Sequence, residues 1–268
     1  MSQGNSKAFP TYSISDILST IDIFKNAKNK SYLVSIFGNN SDIDTGTVPE
    51  SIWENGGLYT GFPTGSGETF DTLSSDVNDT SGGTGARTWR WYYLDDNLNA
   101  FDANGNWLTF DVTLNGTTPV TSGVSGRRIW DGHLLTAGSG NTNAGNITVR
   151  NTTTTANVFA VVPAGNGRMT ACVFTIPSGY TGYLTRYSGS MLDSTSNKAV
   201  VVLKSKSSNS NTYVLNRRLA ISTEFSAERT LVGAEQYLEK TDLEFIATTV
   251  VNNNANVIVT FDLVLIKN

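Results

Sequence analysis

One cysteine and one histidine in 268 residues remove several chemistries at once. Cys172 has no second cysteine to pair with, and its neighbours in RMTACVFTIP mark it as a small buried apolar side chain rather than a reactive thiol. Stability must therefore come from packing. With His133 the only imidazole, a Ser-His-Asp or Cys-His unit would have to use it, and a site with two histidine ligands cannot form within one chain. His133 follows Asp131-Gly132 in RIWDGHLLT, the setting of a strand-end histidine beside a turn. Charge is scarce too: charged residues are 16% of the chain and the net charge is -4, so no positive field draws it to nucleic acid. No apolar run approaches the roughly 20 residues of a spanning helix. The opening MSQGNSKAFP also lacks the apolar segment of a cleaved signal, so neither membrane insertion nor signal-led secretion is expected. Without such a signal, the Asn-x-Ser/Thr triplets at Asn78, Asn115, Asn146 and Asn151 are what an Asn/Thr-rich chain produces by chance.

Polarity comes instead from Asn, Ser, Thr and 25 Gly, residues that solvate turns by hydrogen bonding. Between them the chain alternates. In residues 107–114 Leu108, Phe110, Val112 and Leu114 point one way while Thr109, Asp111 and Thr113 point the other, because successive strand side chains face opposite sides. Residues 87–94 do the same, with Trp89, Trp91 and Tyr93 against Thr88, Arg90 and Tyr92. The segment 102–106, DANGN, supplies turn residues between these two arms of a hairpin. Further strands are expected at 31–37, 127–135, 147–150, 158–162, 169–176, 180–187, 199–204, 213–222, 243–251 and 257–266. Such spacing predicts an all-β chain of two packed sheets, a jelly-roll-like β-sandwich forming a single domain over 31–268. The final pair, LEFIATTVV and VIVTFDLVLI, is joined only by NNNAN and reads as a terminal hairpin. The segment ERTLVGAEQYLEK has irregular apolar spacing around Gly233 and reads as loop plus a short strand.

Two regions depart from this pattern. Over residues 1–30, Ile14, Ile17, Leu18, Ile21 and Phe24 recur at helical spacing, Ser13 or Ser15 can cap the start, and Lys25, Lys28 and Lys30 suit the negative end of the dipole. This predicts a short amphipathic helix that either covers an open end of the sheet or acts as a docking arm. Residues 38–85 hold many turn signals and few apolar runs, so they are expected to be mostly loop, available to partners.

Candidate chemistry is thin. Asp95, Asp96, Asp131, Glu224, Glu228, Glu235 and Glu239 could in principle supply a glycosidase pair, but nothing in their spacing makes any two face each other. Asp102, Asn104 and Asn106 resemble the start of a calcium loop, yet Trp107 and Thr113 stand where that loop needs Gly and Glu, so the turn reading prevails. GSGETF and SGGTGA lack the Gly-Lys-Ser/Thr of a phosphate loop. The chain reads as a non-enzyme with no cofactor and no metal. Aromatics are the exception. Trp89, Trp91 and Tyr93 read as core, whereas Tyr92 beside Arg90, together with Trp107 and Trp130, are candidate contacts for a partner or a sugar ring.

The phrases GTGARTWRWYYLDDNLNAFDANGNWLTFDVTLNGTTPV, LLTAGSGNTNAGNITV, FTIPSGYTGYLT and LEKTDLEFIATTVVNNNANVIVTFDLVLI, in that order, resemble a group of virion proteins of marine tailed phages and related aquatic viruses. The resemblance runs from about Gly56 to Asn268; this chain's RTWRWYYL strand is richer in Trp and Tyr than the RTV-type strand of that group. It implies a structural part of the particle and brings no catalytic residue with it. The resulting expectation is a capsid decoration or cement protein on the virion exterior, made in the host cytoplasm. It would associate with itself as a homotrimer and bridge copies of the major capsid protein. Its contacts would come from the 38–85 loops and from Ile17, Leu18, Ile21 and Phe24 of the arm, with Arg90, Tyr92, Trp107 and Trp130 as further candidates. The alternatives are a receptor- or carbohydrate-binding module of a fibre or tail that takes a host-surface glycan, and a single-jelly-roll shell protein.

Overall fold

The structure, a computed structural model, describes residues 31–46, 48–192 and 197–268. The helix expected over 1–30, with Ile17, Leu18, Ile21 and Phe24, lies outside the described residues. Everything ordered into elements among the described residues is strand.

The chain opens with β1 (Ser31–Ile43) and the short β2 (Glu50–Ser51). There follow β3 (Glu68–Ser74), β4 (Ala86–Leu94), β5 (Thr109–Thr113), β6 (Val120–Gly126), β7 (Arg128–Ala137), β8 (Ile147–Asn151) and β9 (Val158–Val162). The remainder is β10 (Val173–Thr175), β11 (Tyr180–Met191), β12 (Lys198–Ser207), β13 (Val214–Ser222), β14 (Ala227–Tyr237), β15 (Thr241–Val250) and β16 (Ala255–Lys267). One sheet runs β1-β16-β11-β14 and a second runs β10-β15-β12-β13, with β2 added to β15. Set β2 to β9 aside and number the other strands in chain order. The sheets then read first-eighth-third-sixth and second-seventh-fourth-fifth, the order produced by folding a long antiparallel hairpin over itself. That is a jelly roll. Its two sheets enclose one apolar core, in which Val34 and Ile36 of β1, Leu184 and Tyr187 of β11, Leu203 of β12, Phe245 of β15 and Phe261 of β16 are buried.

The strands from β3 to β9 are an insertion between the first two jelly-roll strands. They form two smaller sheets, β6-β3-β8-β9 and β5-β4-β7, packed on a second core that holds Phe70, Trp89, Trp91, Phe110, Val149 and Phe159. Phe70 stacks on Phe110 with ring centroids 5.5 Å apart, and Trp91 Nε1 donates across the layer to Thr72 Oγ1 at 3.0 Å. The hairpin read from the sequence is here: Trp91 faces Phe110 and Trp89 faces Val112 across β4 and β5. Asp102 Oδ1 accepts from the amides of Asn104 and Asn106, both at 2.8 Å, and shapes the turn.

Of three further expectations, one holds and two need correction. The stretch 38–85 is mostly loop, as expected, although the end of β1, β2 and β3 lie within it. β3 is buried on both faces over Phe70-Asp71-Thr72, so it shows no alternation. The segment read as loop plus short strand is one long strand, β14, whose middle is open to solvent and therefore lacks an apolar stripe. LEFIATTVV and VIVTFDLVLI are not a hairpin: β15 pairs with β12, β10 and β2, whereas β16 pairs with β1 and β11. The link, residues 251–254, arches from one sheet to the one facing it, and so short a connection allows either geometry.

The chain crosses between the bodies at a narrow neck. Ile52 belongs to the jelly-roll core and Trp53 to the inserted one, and further on Val173 and Phe174 divide in the same way. The Cys172 amide donates to Ile52 O at 2.8 Å, so the chain leaves and returns side by side.

Candidate binding surface

The outer face of the β5-β4-β7 sheet turns toward the jelly roll and carries a connected line of rings. Tyr92 on β4 packs against His133 at 5.7 Å and Trp130 at 5.2 Å, both on β7. Trp130 then meets Trp107 at 4.7 Å and the edge of Phe174 of β10 at 5.6 Å. Trp107 lies 4.2 Å from Phe101, which stacks at 4.1 Å on Tyr32 of β1 and touches Tyr180 of β11 at 5.0 Å. Tyr32 also donates its hydroxyl to Gly105 O at 3.0 Å. Burial, with Tyr32 as a lesser cause, pushes the Tyr180 phenol up to about 12. Tyr92, Trp107 and Trp130, singled out in the sequence, are thus brought together, as half-buried members of the seam between the two bodies. Arg90 stands on the same face but is engaged by Asp111 through two bonds, Nε to Oδ1 at 2.7 Å and Nη2 to Oδ2 at 2.8 Å. The guanidinium holds the Asp111 carboxyl below the usual carboxylate range.

A second junction is ionic. Arg128, at the start of β7, reaches Asp242 of β15 with Nε and Nη2, both at 3.0 Å, and Thr175 Oγ1 donates to the same carboxylate at 2.6 Å. The pair is sealed from solvent, with side-chain exposures of 1% and 0%. Lys204 pairs with Glu244 at 3.1 Å beside it, and Ser51 Oγ donates to Glu244. Lys206 rests its ammonium on Tyr213 at 4.9 Å and Phe62 at 5.7 Å, and burial lowers its pKa. This network is built from both bodies and fixes how they sit against each other.

One of the grooves along the seam, about 400 Å³ in volume, lies between Ser35 to Phe37 of β1, Trp130 and Asp131 of β7, and residues 168–171. Asp131 Oδ2 accepts from Arg168 Nη2 at 2.8 Å and Oδ1 from the Gly132 amide at 2.8 Å, with Arg168 Nε at 3.3 Å. Phe37 is 45% exposed. Of these residues the sequence pointed only to Trp130 as a contact; Arg168 and Phe37 carry no local signal, because the groove joins segments far apart in the chain.

The carboxylates considered for hydrolysis are dispersed. Asp95 accepts the amides of Asn97 and Asn99, Asp96 accepts Ser125 Oγ, and Glu239 accepts the Gly179 amide. Glu228 pairs with Arg186 and Glu235 with Arg217. Among the described residues no group of three or more His, Cys, Asp or Glu is gathered to hold a metal ion. No family model, curated protein or solved structure matches this chain.

Proposed function

We propose that the chain is a structural virion protein, a capsid decoration or cement protein that associates with itself and bridges neighbouring shell subunits. The observation that carries this reading is the free side of the jelly roll formed by β13 and β14. Among the described residues both are edge strands, and they expose Val214, Leu215 and Val232. A long edge with unpaired amides and carbonyls is a template for association unless it is covered. Shell and lectin domains are among the proteins that use this fold, though a fold by itself licenses no function. The mechanism is mechanical. Identical copies, most simply three around a local axis, join along this side, and the inserted body reaches the capsomers, so that breaking the shell means breaking added contacts as well.

Quantitative mass spectrometry of purified particles containing this chain tests the proposal. A fixed ratio to the shell protein in hundreds of copies supports decoration, whereas a few tens or fewer points to a fibre or tail. The eight-strand jelly roll favours a second reading, that the chain is itself a shell protein. Closed particles assembled by the purified chain alone would establish that reading in place of the first.

A further inference from the structure

We propose that the groove between β1 and β7 binds a neutral pyranose sugar, as a ligand site independent of where the protein sits on a particle. Trp130 is the platform. Its ring is wedged by Tyr92, Trp107 and Phe174 at 5.2, 4.7 and 5.6 Å, so it is already fixed before a ligand arrives and stacking carries little cost for ordering the tryptophan. An aromatic face beside polar groups suits the apolar C–H face of a sugar ring. Phe37, 45% exposed and lining the same groove, supplies a second apolar surface.

The Asp131–Arg168 pair provides the polar half. A carboxylate has about four acceptor positions and a guanidinium five N–H donors. The Gly132 amide and two Arg168 nitrogens use three of the acceptor positions and two of the donors. What remains is one acceptor beside three donors, a match for two adjacent hydroxyls, each of which both donates and accepts. The Asp131 side chain is 15% exposed and that of Arg168 65%, so the pair sits at the groove mouth with the carboxylate anchored and the guanidinium reachable. Because the pair is internally neutral, it selects an uncharged ligand over a phosphate or an acidic sugar. The volume of about 400 Å³ lies in the range of small-molecule sites.

The test is saturation-transfer NMR on the full chain. The probes are methyl glycosides of glucose, galactose, mannose and N-acetylglucosamine, with inorganic phosphate and sialic acid as charged comparators. At least one neutral glycoside should bind with a dissociation constant on the order of 1 mM, typical of a shallow site that gains little beyond one stacked ring. Phe37→Ala and Arg168→Ala should each weaken it about tenfold, with melting temperatures confirming that both variants fold. No neutral glycoside binding at about 20 mM, affinity unchanged in both variants, or binding of the charged comparators alone would overturn the proposal.

Discussion

Removing the charge of Asp242 tests the claim that a buried ion pair locks the two bodies together. The carboxylate accepts three hydrogen bonds, two from Arg128 and one from Thr175. In Asp242→Asn the guanidinium would stay buried against neutral acceptors alone, the amide oxygen and the carbonyls of Pro63 and Arg127 at 3.0 and 2.8 Å, with its partner carboxylate's charge gone. Breaking one partner of such a pair costs about 3–5 kcal/mol, most of it from the stranded charge rather than from the lost attraction. Against a usual total of about 5–15 kcal/mol that is a large fraction. The double variant Arg128→Met/Asp242→Leu strands no charge and should recover most of the loss. Urea titration reads this twice. The five tryptophans, at 53, 89, 91, 107 and 130, all lie in the inserted body or its seam, so fluorescence follows that part while far-ultraviolet dichroism follows both. In Asp242→Asn the fluorescence transition should move to lower urea and separate from the dichroism transition. A loss below about 1 kcal/mol, or a double variant less stable than the single one, would refute the reasoning.

The remaining predictions concern pH, the neck and the surface. Burial raises the phenol pKa of Tyr59, Tyr213 and Tyr237. Their stabilisation should thus be complete below about pH 10, the unfolded value, and lost as pH rises above it, with tyrosinate absorbance appearing together with unfolding. Lys206 acts in the opposite sense, since its lowered pKa means that its contribution improves as pH climbs toward the unfolded value; three phenols against one amine leave a net loss in alkali. Tyrosinate forming fully while the dichroism stays native would contradict this. At the neck, a methyl on Gly38 would run into the backbone of Cys172, so Gly38→Ala should lower stability by about 1–3 kcal/mol in a thermal melt. The exposed Arg90–Asp111 pair should contribute no more than about 0.2–1 kcal/mol in a double-mutant cycle. That contribution is present above the usual carboxylate pKa and lost as pH falls through the lowered value in the fold; a coupling unchanged at pH 2 would count against the assignment.

How much of this was legible in the sequence depends on where each strand lies. β4 and β5 face water or the seam on one side and core on the other, so their alternation is plain. β3 is buried on both faces and β14 is open along its middle, and neither has a period to detect. The pairing of β15 with β12 and β10, instead of with its neighbour β16, is decided by long-range packing that so short a link does not encode. The seam residues Tyr92, Trp107 and Trp130 stood out because aromatic side chains are conspicuous in a polar chain. Asp131 and Arg168 did not stand out as partners, since 37 positions separate two side chains that only the fold brings together.

The neck at Ile52 and Cys172 has a consequence for how such a chain can diversify. Because departure and return are hydrogen-bonded neighbours, everything between them is a cassette: it can lengthen, shrink or be exchanged without rethreading any strand of the body that carries it. What such an exchange must preserve is a cation where Arg128 stands, since Asp242 would otherwise be left facing the new occupant with its charge unanswered.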